Sequence, residues 1–122
     1  MTYLAESTAS ERTSVFTTDA TPMLVYAVPI KRGLAVLLTV QITALTADKT
    51  KGSAFVLRAT YRNDNGVVTQ VGETAIDFEA EDDSSWGGPS ATVNGTNVDI
   101  TVVGKVATSI TWGADLSITS TT

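Results

Sequence analysis

The densest set of residues able to do chemistry is acidic. Asp77, Glu79, Glu81, Asp82 and Asp83 put five of the thirteen carboxylates into seven positions and lead into Ser84-Ser85-Trp86. Hard cations take oxygen ligands gathered on a loop, so Glu81, Asp82 and Asp83 are the candidates for calcium. EF-hand spacing is absent, and a solvated turn between strands explains the same residues, so no metal is assigned. A carboxylate pair can hydrolyse a glycosidic bond when acid and base flank it. Here the acids share one loop and the rest are scattered over outward strand positions. Asp64, in Asn63-Asp64-Asn65-Gly66, is accounted for by turn chemistry.

Other chemistries lack their residues. The 122 residues include no histidine and no cysteine. Zinc loses its two preferred ligands, Ser-His and Cys-His nucleophilic pairs have no base, and disulfides are impossible. The expectation is a chain that is not an enzyme, with no catalytic residues and no cofactor.

Aromatic rings offer a different use. Tyr3, Tyr26, Tyr61, Trp86 and Trp112 could stack on sugar rings, yet Tyr61 and Trp112 are in register with apolar neighbours and belong to a core. Trp86, beside Gly87-Gly88-Pro89, is the candidate for an exposed recognition platform. Asn94-Gly95-Thr96 matches a glycosylation sequon but reads as a turn, and Lys49 and Lys51 as the tip of a polar loop.

The elements that must position these residues are strands. Threonine occurs 21 times, a β-branched bias that favours extended chain. From Ala35 to Leu45, Val36, Leu38, Val40 and Ile42 alternate with Leu37, Thr39, Gln41 and Thr43, which is the period of a strand. Ala54 to Tyr61 alternates likewise and ends in Asn63-Asp64-Asn65-Gly66, a hairpin corner. A second corner, Asn94-Gly95-Thr96-Asn97, separates Ala91 to Val93 from Val98 to Val103. Ser109 to Ile118 alternates almost without fault. With Val15 to Thr17, Met23 to Val28, Val67 to Val71 and Thr74 to Phe78, the count is about eight or nine short strands. No apolar stripe of helical period occurs. The expected fold is all-β: an antiparallel two-sheet sandwich, jelly-roll-like, with an open Greek-key barrel as the alternative.

The expected organisation is an extended polar N-terminal arm over 1–13, the sandwich over 14–119 and a short tail over 120–122. A neighbouring subunit is expected to hold the arm. The formal charge of -5 disfavours nucleic acid and anionic membranes as partners. The opening residues lack the apolar run of a secretory signal, and Leu34 to Val40 is shorter than the roughly 20 residues of a membrane span.

The order of several pieces resembles a β-sandwich module of tailed-bacteriophage virion proteins, of the capsid-decoration and tail-fibre type, from about Phe16 to Ile118. The pieces are Thr17-Thr18-Asp19-Ala20-Thr21-Pro22, Leu57 to Gly66, Val68-Thr69-Gln70-Val71-Gly72, Ala80 to Trp86, Val93 to Val98, and Ala107-Thr108-Ser109-Ile110-Thr111-Trp112. Gly87-Gly88-Pro89 departs from it, where a plain strand is expected. The resemblance implies assembly as a homotrimer in a virion put together in the host cytoplasm, contacting the major capsid protein or other virion proteins. The first expectation is a capsid decoration (cement) protein that stabilises the shell by burying surface. The alternatives are a tail-fibre or receptor-binding component and, from another class, a carbohydrate-binding module.

Overall fold

The computed structural model describes residues 8–121. They form eight strands: β1 (Thr8–Thr17), β2 (Met23–Pro29), β3 (Ala35–Thr46), β4 (Gly52–Asp64), β5 (Val67–Glu81), β6 (Gly88–Asn94), β7 (Asn97–Val103) and β8 (Ile110–Ser120). Two antiparallel sheets result, ordered β1-β8-β3-β4-β5 and β2-β7-β6. The two-sheet, all-β sandwich expected from the alternation is the fold. Its nested pairing of first strand with last, and second with next to last, is that of a jelly roll. In the middle, β3, β4 and β5 run on as a meander within the larger sheet.

Period-two alternation sends one residue set inward on each central strand. On β3, Val36, Leu38, Val40, Ile42, Ala44 and Thr46 are buried while Leu37, Gln41, Thr43 and Leu45 are exposed. Leu57, Tyr61, Trp112 and Leu116 join them from the large sheet and meet Val98, Ile100 and Val102 from the small one. Each buried aliphatic side chain contributes about 1.5–3 kcal/mol relative to exposure. Trp112 also finds a partner for its one polar atom: Nε1 donates to Thr17 Oγ1 at 2.9 Å.

Both asparagine-glycine corners are hairpin turns. Asn65 and Gly66 take φ of 55° and 93°, the left-handed pair of a type I′ turn, which explains glycine at the second position. Asn63 does more than turn the chain. Its buried side chain donates from Nδ2 to the Ile30 carbonyl at 2.7 Å and accepts from the Gly66 N–H at 2.8 Å, tying the hairpin to the residue after β2.

The runs Val67 to Val71 and Thr74 to Phe78, read as two strands, are one. Pairing with β4 slips where Arg58 and Thr60 take partners Ala75 and Val71, and Gly72 has φ 75°. The result is a bulge, with extra residues on β5 and the strand continuing past them. The larger sheet overhangs the smaller, so β5 is an uncovered edge on which only Val68 is buried.

Of the expected arm over 1–13, residues 8–13 are in β1, paired in unbroken register along β8. Residues 1–7, with Tyr3, lie outside the described residues. No helix among the described residues is long and apolar enough to cross a membrane.

Candidate functional site

The acidic cluster is not one loop. Asp77, Glu79 and Glu81 are on β5, and only Asp82 and Asp83 lie in the turn that follows. An edge strand uncovered on both faces accommodates charge, so alternation there gives no burial signal. Asp77 pairs with Arg58 at 2.8 Å.

The calcium candidates Glu81, Asp82 and Asp83 do not converge. Asp82 Oδ2 accepts from the Gly52 N–H at 2.8 Å. Asp83 Oδ2 takes Lys105 Nζ at 3.1 Å and Lys51 Nζ at 3.4 Å, while Oδ1 accepts from the Ser85 N–H and hydroxyl. Those Ser85 hydrogen bonds first, and then Lys105, hold the Asp83 carboxyl well below the usual carboxylate range. Burial and the neighbouring Glu79 push Glu81 up. Asp83 therefore acts as a brace joining the β3–β4, β5–β6 and β7–β8 loops. Among the described residues no group of three or more acidic, histidine or cysteine side chains is arranged to hold a metal ion.

Trp86 is not an exposed platform. Only 4% of its surface is accessible, and its ring meets Trp112 edge-on with centroids 5.8 Å apart. Gly87 makes this possible, because a Cβ there would lie 2.5 Å from Val103 Cβ, so the chain behind the indole runs tight against β7. Tyr26, Tyr61 and Trp112 are buried as well. The acidic cluster is exposed but not gathered around a metal position, and both tryptophans are buried.

An open concavity lies on the outer face of the five-stranded sheet, and its layout follows from register. One cross-strand row reads Ser14, Gly113, Thr43, Ala54 and Ala80. On one side of it lies Arg12, Asp115, Gln41, Val56 and Phe78, and on the other Phe16, Thr111, Leu45 and Gly52. A row of short side chains, flanked by a row of longer ones on one side and by Phe16, Thr111 and Leu45 on the other, is a groove at right angles to the strands. With strands about 4.8 Å apart, it crosses roughly 19 Å of sheet.

The groove's deepest part, between Arg12 and Asp115 at one end and Phe78 at the other, encloses about 530 Å³, with Ser14 and Ala80 outside the lining. In its wall the Arg12 guanidinium meets Asp115 Oδ1 at 2.9 Å. Phe78 stands at the β5 end, 54% exposed, beside Val56. The side-chain amide of Gln41 has no hydrogen-bond partner among the described residues, and Thr43 adds a hydroxyl. No local motif announces this site, because its residues come from five strands. Gly113, in the middle of an otherwise alternating strand, was the available signal, since strand glycine often marks a close approach by a ligand or another chain.

No protein-family model matches the sequence, and no curated protein matches it. The fold is similar to parts of two solved phage proteins. One is the tailspike protein of Acinetobacter baumannii phage AM24, with a TM-score of 0.52 and 7% identity, covering 94% of this chain and 26% of that one. The other is tailspike protein gp49 from Acinetobacter baumannii bacteriophage Fri1, a capsular polysaccharide depolymerase, with a TM-score of 0.53 and 14% identity, covering 99% of this chain and 21% of that one. The chain thus spans about a quarter or less of the tailspikes it resembles. At these identities the likeness is one of fold alone.

The likeness gives no support to capsid decoration. It also overturns the expectation that the chain is not an enzyme. That expectation rested on missing histidine and cysteine, on carboxylates read as one loop and on a resemblance that implies assembly, yet nearly the whole of this fold recurs as about a fifth of a protein described as a depolymerase.

Proposed function

We propose that this chain is a β-module of a phage tail, of the tail-fibre or tailspike type, serving a structural or receptor-binding role in the virion. The observation that carries the proposal is the extent of the likeness: 94% and 99% of the chain superposes on a segment of a tailspike, so the shared unit is the sandwich as a whole. The groove agrees with it, being an open surface on a rigid sheet and free of the core. A tailspike that depolymerises capsule must engage polysaccharide, and a module carried on such a protein is well placed to share in that contact.

Location in the virion tests the reading. Gold-labelled antibody on intact particles is expected to mark the tail, and quantitative mass spectrometry to give a handful to a few dozen copies per particle. Label over the head, with hundreds of copies, would return the chain to the shell.

A further inference from the structure

We infer that the outer groove is a binding site for a neutral, extended bacterial saccharide of several sugar units. The inference deepens the receptor-binding reading above and rests on it only for the source of the saccharide.

Gly113 carries the first step. Its backbone is not left-handed, and an added Cβ would meet nothing nearer than Thr43 Oγ1 at 3.4 Å, ordinary van der Waals contact. Neither chain geometry nor packing requires glycine there, although glycine weakens a strand interior. What it provides is depth: the floor between Ser14 and Thr43 stays open.

The lining selects the occupant. Arg12 and Asp115 neutralise each other at 2.9 Å, and beyond the groove Arg58 is matched by Asp77 at 2.8 Å. An anionic chain finds no uncompensated cation here, and a cationic one no free carboxylate. What remains is a set of donors and acceptors: the Gln41 amide, the Thr43 hydroxyl, and the unused valences of the Arg12–Asp115 pair. Beside them stands the Phe78 ring. Sugar rings present hydroxyls around a rim and C–H groups on a face, so amide, hydroxyls and aromatic ring together complement them.

A peptide strand fits less well. The groove runs at right angles to the strands and crosses β8, β3 and β4, whose backbone groups are consumed in their ladders. A peptide lying along it meets the edges β1 and β5 end-on and not in the direction of strand addition. Recognition must come from side chains, as it does for a glycan.

The test is an array of neutral and uronate-bearing bacterial oligosaccharides, probed with the full chain and with Phe78→Ala, Gln41→Ala and Gly113→Val. Neutral glycans are expected to bind, about tenfold more weakly to Phe78→Ala, with a similar loss for Gly113→Val. The circular dichroism spectrum should be unchanged. If Gly113→Val does not fold, the two exposed-residue variants decide, since neither touches the core. Binding to no glycan, preference for acidic glycans, or full affinity in Phe78→Ala and Gln41→Ala overturns the inference. So does sedimentation showing that these variants abolish self-association, for the groove then seats a second copy. Tail labelling with no glycan binding would remove the groove site and leave the tail reading intact.

Discussion

The hydroxyl of Tyr26 lies 3.0 Å from the Ala114 carbonyl, a contact that joins the small sheet to the large one through the core. The Glu11 carbonyl is also 3.0 Å away, so the one phenolic proton is shared between β8 and β1. Burial and the nearby Glu11 and Asp115 raise the Tyr26 pKa, which keeps it a donor at any ordinary pH. Tyr26→Phe keeps the ring and removes the tie. A loss of about 0.5–1.5 kcal/mol is expected in denaturant unfolding, with the fold unchanged.

Trp86 and Trp112 form an edge-to-face pair in the core. Trp86→Ala is expected to cost about 3–5 kcal/mol, the range for large aromatic truncations, read from the shift in the urea midpoint. An exposed platform residue would leave stability within about 0.5 kcal/mol of the parent, so the measurement separates the two roles.

Gly104 stands where a Cβ would come within 2.6 Å of Thr17 Oγ1 and 3.1 Å of the Asp19 carbonyl. That same Thr17 oxygen accepts from Trp112. Gly104→Ala should therefore displace the acceptor and cost about 1–3 kcal/mol as overpacking. A change in tryptophan fluorescence is expected to accompany the loss.

Acid should weaken the fold. Hydrogen bonds from the hydroxyls of Thr46 and Thr50 hold Asp48 down to about 2, against an ordinary value of 3.8, and Asp83 is depressed further. Both groups have lower pKa values folded than unfolded. Their contribution is complete above about pH 4 and is lost as pH falls through the folded values. Glu81, shifted upward, works in the opposite sense. The thermal midpoint is expected to fall between about pH 4 and pH 2. An Asp48→Asn, Asp83→Asn double variant should start lower at neutral pH and lose less across that range.

Much of this architecture is legible in the sequence because central strands are buried on one face. Val36 to Ile42 and Ile110 to Leu116 alternate because a sheet packs against one side of them, and Asn65-Gly66 announces its turn because few residues adopt that backbone. Legibility fails at the edge. On β5 both faces are open, so Asp77, Glu79 and Glu81 look like loop and the Gly72 bulge looks like a break. Trp86 misled for a related reason: its polar neighbours suggest exposure, while the close approach of Gly87 to Val103 turns the indole inward. The groove left only Gly113 as a trace in the sequence, since Ser14, Gly113, Thr43, Ala54 and Ala80 meet only through the strand order β1-β8-β3-β4-β5.

Thr8 pairs with Thr119, so the first and last strands run side by side with their outer ends at one pole of the sandwich. Tension drawn between those two points would peel the β1–β8 rungs apart one after another rather than load them all together. Such a unit withstands little stretching along the polypeptide. It is mechanically safest when both of its ends are anchored to a single rigid body, with drag on the far pole taken up as tilting rather than as unzipping.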